Sequence, residues 1–87
     1  MVDWDTVSYV IRSDYRRRVL ETLHSGKDTP SNIASKTDIY PSHVSTSLKE
    51  LREKDLVEQL VDSPKGRIYS LTDKGEEVAE TIEEEDF

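Results

Sequence analysis

Two prolines constrain this chain more than any other feature. Proline fixes φ and lacks an N–H, so Pro30 and Pro41 both read as first helical positions and neither fits a helix interior. The stretch between them, "TPSNIASKTDIYP", therefore leaves room for one helix of about two turns. Thr29 caps it, Ile33 and Ala34 face inward, and Thr37 and Asp38 restart turn chemistry.

A second helix begins at Pro41 and runs through "PSHVSTSLKELREK" to Lys54. At about 100° per residue, Leu48 and Leu51 fall near Val44, while Ser42, Ser45, Thr46, Lys49 and Glu53 take the opposite half. Its first two turns hold Ser42, His43, Ser45, Thr46 and Ser47, all mediocre helix formers. Placing them there needs a reason other than helix stability.

The flanks have equally local signals. Ser13 is an N-cap with Asp14 in the first turn, and Tyr15, Val19 and Leu23 form a stripe beside Leu20, so a helix is expected from Ser13 to His24, ended at Gly26. Trp4, Val7 and Ile11 predict a short helix before it, and "KDT" suits only a small edge strand. After Lys54, Asp55 occupies a position that needs a left-handed backbone. "LVEQLVD" and "RIYSL" read as strands joined by the turn "SPKG", and Thr72 opens a last helix carrying Val78 and Ile82.

The fold class expected is mainly α with a small β-hairpin. With 87 residues and 33% hydrophobic content there is room for one core, hence one domain over 1–87. It divides into an N-terminal helical extension (1–12), a core (13–75) and an acidic C-terminal helix or tail (76–87).

Net charge is −7, but unevenly spread. Glu76, Glu77, Glu80, Glu83, Glu84, Glu85 and Asp86 are seven of the nineteen acids, which leaves twelve against twelve bases for the rest. Any surface that binds a polyanion must be local, and the acidic end reads as a solvated helix. Cysteine is absent, and His24 and His43 fall on different elements, so no metal and no cofactor is expected. No apolar run approaches the roughly 20 residues that cross a bilayer, and no signal-peptide layout opens the chain, so a cytoplasmic location without membrane contact is expected.

The segment Thr29 to Val78 resembles winged helix-turn-helix transcriptional regulators of the MarR and ArsR type, especially the short archaeal ones. The resemblance rests on "HVSTSLKELREKDLV" followed at the right distance by "GRIYSLTDKG". Asp55 departs from the family's usual glycine, and thiolate metal sensing has no ligands here. A small-molecule effector is not implied, because the long helices that build effector pockets in MarR-type proteins are abbreviated.

The resemblance implies a sequence-specific regulator that binds double-stranded DNA, with helix 41–54 in the major groove. The hydroxyls then make sense, since short side chains let the helix N-terminus approach base edges and phosphates. Ser42, His43, Ser45 and Thr46 are expected on bases or phosphates, and Lys49 and Arg52 on the backbone. The wing, 63–67, would place Lys65 and Arg67 on the minor groove or its phosphates. Arg16, Arg17 and Arg18 read as surface charges paired near Glu21. Trp4, Val7, Ile11, Val78 and Ile82 are expected at a homodimer interface, with an intramolecular cluster as the competing reading. Enzymatic activity is not expected: no nucleophile–base pair or phosphate loop is present. The rival function is a winged-helix protein-interaction module that does not bind DNA. RNA binding is disfavoured by the deep, narrow groove of an A-form duplex.

Overall fold

The computed structural model describes residues 3–63 and 66–85. In chain order the elements are α1 (Trp4–Ile11), α2 (Asp14–His24), α3 (Pro30–Thr37), α4 (Pro41–Glu53), β1 (Val57–Ser63), β2 (Gly66–Leu71) and α5 (Asp73–Glu85). Pro30 and Pro41 both open helices, as their chemistry requires.

Side-chain caps set most helix starts. Asp3 accepts from the Asp5 amide at 3.1 Å and from the Thr6 hydroxyl at 2.7 Å, Ser13 accepts from the Arg16 amide at 3.3 Å, and Thr29 from the Asn32 amide at 3.2 Å. Thr72 accepts from the Gly75 amide at 3.0 Å while its hydroxyl donates to the Asp55 carbonyl at 2.7 Å, which ties the start of α5 to the end of the α4–β1 turn. Asp38 and Asp55 both take the left-handed conformation, with φ of 59° and 60°. Both positions end helices, where the chain must reverse without glycine.

β1 and β2 pair antiparallel, with Val57 opposite Leu71 and Gln59 opposite Tyr69, and the register shifts between Gln59 and Val61. Leu60 is the extra residue of that bulge and is exposed. Asp28 extends the ladder on the far side of β2: its amide donates to the Tyr69 carbonyl at 3.0 Å, and the Tyr69 amide donates back at 2.9 Å. The "KDT" stretch is thus the small edge pairing expected.

One continuous core joins all the helices to the hairpin. Val19, Leu20 and Leu23 of α2 meet Ile33 of α3, Val44, Leu48 and Leu51 of α4, Leu56, and Tyr69 and Leu71 of β2. Val7 and Val10 of α1 and Val78, Ala79 and Ile82 of α5 complete it. Each fully buried aliphatic side chain contributes about 1.5–3 kcal/mol.

Three expectations are corrected here. Val7, Val78 and Ile82, expected between subunits, are buried in the chain's own core at 1%, 1% and 3% exposure, because α1 and α5 pack against each other intramolecularly. Tyr15, expected in the apolar stripe of α2, projects outward from the first turn, beyond the reach of the core. Ser47, grouped with the outer hydroxyls, is 2% exposed, because it stands one residue before Leu48 on the inward arc of α4.

Candidate nucleic-acid interface

α4 rests on the core through Val44, Ser47, Leu48 and Leu51, and that anchoring decides which side chains it presents. Ser42, His43, Ser45, Thr46, Lys49 and Arg52 are all exposed. The Thr46 hydroxyl donates to the Ser42 carbonyl at 3.0 Å, so what Thr46 presents outward is a methyl group and an acceptor oxygen.

The hairpin brings a second element to this face. A cleft is lined by Pro30 at the start of α3, by Ser45, Leu48, Lys49 and Arg52 of α4, and by Arg67 and Tyr69 of β2. Four residues singled out in the sequence, Ser45, Lys49, Arg52 and Arg67, therefore share one concavity although Arg67 is separated from the others by the whole hairpin turn. Its floor is positioned by the Asp28–Tyr69 bridge, which fastens the loop before α3 to β2. Among the described residues, no ion pair involves Lys49, Arg52 or Arg67. Three cations lining one cleft, none of them in an ion pair among the described residues, suit a phosphate, whose oxygens accept charge-assisted hydrogen bonds. Lys65, expected beside Arg67 at the wing tip, lies outside the described residues.

The other cationic run behaves differently. The Arg16 guanidinium donates to the Tyr9 carbonyl at 2.6 and 2.9 Å, and lies 3.4 Å from Glu50. Arg17 pairs with Asp14 at 3.0 Å and Glu21 at 3.5 Å, and Arg18 donates to the Thr37 carbonyl. Arg16 and Arg18 thus tie α2 to α1, α4 and the end of α3, whereas Arg17 pairs within α2 and is the one of the three that meets Glu21 as the sequence suggested.

The acidic end is partly structural. His24 faces Glu76 through Nδ1 at 3.0 Å and Glu83 through Nε2 at 3.5 Å, which links α2 to α5. His43 stands apart on α4, and among the described residues no group of histidines and carboxylates could hold a metal ion.

Asp28 is the buried charge beneath the cleft. Burial pushes its carboxyl up, but the Lys36 ammonium at 2.6 Å, Asn32 and the Thr29 amide outweigh that and hold it below the ordinary carboxylate range. It stays an anion that ties α3 to the edge of β2.

Two side chains at this face were given no role there by the sequence. Tyr15 stacks on His43, and Tyr40, 76% exposed, stands just before α4. Tyr40 could have been noticed as a large aromatic in a turn, whereas Tyr15 sits at a spacing that mimics a core position.

The short α3, the turn, the anchored α4 and the β1–β2 hairpin followed by α5 together make a winged helix-turn-helix fold. The chain belongs to the HVO_A0261 N-terminal domain family, which matches residues 4–86. A comparison with curated proteins found no match. Among solved structures, a mutant of Lactococcus lactis ZitR in its apo form superimposes with a TM-score of 0.79 at 26% identity, covering 85% of this chain and 58% of that one. The reduced transcriptional regulator YodB from B. subtilis does so at 0.81 and 21% identity, covering 94% of this chain and 83% of YodB. The MarR family transcription regulator SP03579 gives 0.80 and 21%, with 85% and 51% covered. The chain spans about half the length of the ZitR structures it matches, 51% in one and 58% in another. No helix among the described residues is long and apolar enough to cross a membrane.

Proposed function

We propose that this chain is a sequence-specific, double-stranded DNA-binding transcription regulator. The observation that carries the reading is the cleft in which Ser45, Lys49 and Arg52 of α4 meet Arg67 of β2. α4 lies in the major groove with Ser42, His43, Ser45 and Thr46 toward base edges, and Lys49 and Arg52 grip the flanking phosphates. Arg67, with Lys65 beside it in sequence, reaches the minor groove or its backbone. The likeness to regulators such as YodB supports the fold under this reading.

The protein acts as a homodimer whose contact centres on α1, where Trp4 is 53% exposed and Ile11 is half covered. A twofold pair would present two recognition helices to half-sites about 34 Å apart. The net charge of −7 makes the binding face the exception on an acidic molecule, so affinity depends on these few cations and its salt slope is set by their number.

Selection from a random duplex library, followed by titration of the enriched site and a scrambled duplex at several salt concentrations, tests the proposal. Enrichment of one motif with at least tenfold preference over the scrambled duplex is expected. Absence of any duplex binding at low salt would replace the DNA reading with that of a protein-docking winged helix.

A further inference from the structure

Three aromatic rings cluster at the N-terminal end of α4 without belonging to the core. Tyr15 of α2 stacks on His43 with ring centroids 4.5 Å apart and planes inclined by 19°. Tyr40 stands on the same imidazole at 6.3 Å, tilted by 51°. Tyr15 and Tyr40 are 42% and 76% exposed, so burial of apolar surface is not what keeps them there. Tyr15 also comes from α2, which is neither the short helix nor the recognition helix of the helix-turn-helix unit.

The stack decides what His43 can present. With one imidazole face against Tyr15, the ring offers its edge, and the edge carries both nitrogens. A ring N–H at the start of a recognition helix can donate to the N7 acceptor of a purine, or to the N7 and O6 acceptors that guanine displays in the major groove. A histidine free to rotate would lose that freedom on binding, whereas one already held by a neighbour meets the base in a single orientation.

We propose that Tyr15 is a positioning residue for base recognition: by stacking on His43 it sets the imidazole edge against the major-groove edge of one purine, with guanine favoured. The inference rests on the DNA-binding reading above and adds to it a specificity device outside the helix-turn-helix unit. Tyr15 itself touches no base; it acts through His43.

The experiment uses the full chain, the site it selects from random duplex, and duplexes altered at each base pair in turn. His43→Ala should relax the preference at one purine-containing pair. Tyr15→Ala should relax the preference at that same pair by about 2- to 10-fold, the scale of one aromatic stack. Tyr15→Phe keeps the ring and should keep wild-type discrimination. In the His43→Ala background, adding Tyr15→Ala should cost nothing more, since the ring has then nothing to position. Affinity of Tyr15→Ala and Tyr15→Phe for scrambled duplex should match that of the wild type. Additive losses in the double variant, relaxation at a different base pair, or an equal loss on scrambled duplex would each overturn the positioning role. Should the wild type select no sequence, the DNA-binding reading falls and takes this inference with it; a selected site on which the two residues act independently removes only the inference.

Discussion

Gly75, in the first turn of α5, lies so close to Leu56 that a Cβ at this position would collide with the Leu56 carbonyl oxygen and stand 3.2 Å from the Leu71 side chain. The same carbonyl oxygen accepts from the Thr72 amide at 3.0 Å, so it cannot move aside without releasing the start of the helix. This close approach is the physical reason for the glycine of "LTDKG". In an open helix, Gly→Ala would stabilise by about 1 kcal/mol. Here Gly75→Ala should destabilise by about 1–3 kcal/mol, as overpacking does. Urea unfolding checks the sign, and a variant as stable as wild type would show that α5 can shift freely.

Asp28 gives a pH signature. Its folded-state pKa is lowered, so its contribution is present above the unfolded carboxylate value of about 3.9 and is lost as pH falls through the folded value. Asp28→Asn weakens the bond to Lys36 and should cost about 1–2 kcal/mol at pH 6. The gap between variant and wild type should close below about pH 4. Thermal melts across that range measure it; a gap that stays constant to pH 3 would mean that the charge of Asp28 is not what stabilises the loop.

The two parts of the proposed interface should fail differently. Arg67→Ala and Lys49→Ala should weaken binding to every duplex, and each should reduce the salt slope by about one unit for every phosphate left unneutralised. Ser45→Ala should cost about 1–3 kcal/mol on the selected site and little on scrambled DNA. Fluorescence titrations at four salt concentrations separate the outcomes. An unchanged slope for Arg67→Ala would remove the wing from the interface.

Trp4 is the test of assembly. Trp4→Ala should leave the unfolding midpoint nearly unchanged, since the ring is half exposed, while shifting a dimer toward monomer at tens of micromolar. Sedimentation equilibrium measures the shift. A wild type that is already monomeric at that concentration would exclude the α1 interface.

Local chemistry was the legible part of this molecule. Ser13, Thr29 and Thr72 announce helix starts because their hydroxyls accept amides three residues away, and Pro30 and Pro41 fix their own φ. Asp55 at φ 60° and the hairpin after it were likewise readable from neighbours in the sequence. From these alone the order of elements follows, and with it the winged-helix class and the outward face of most of α4. What an apolar stripe packs against is a different question, because the same spacing serves a core, a partner or a ring stack. Val7, Val78 and Ile82 are indistinguishable by period from interface residues, yet α1 and α5 meet within one chain and bury them. Tyr15 has the period of a core residue, but the core ends before the first turn of α2, and the ring finds His43 instead. The cleft that unites Ser45, Lys49 and Arg52 with Arg67 exists only once Asp28 and Tyr69 have joined the α3 loop to the hairpin. Caps and turns are decided by atoms a few residues apart, whereas partnership between distant segments is decided by the closing of the core.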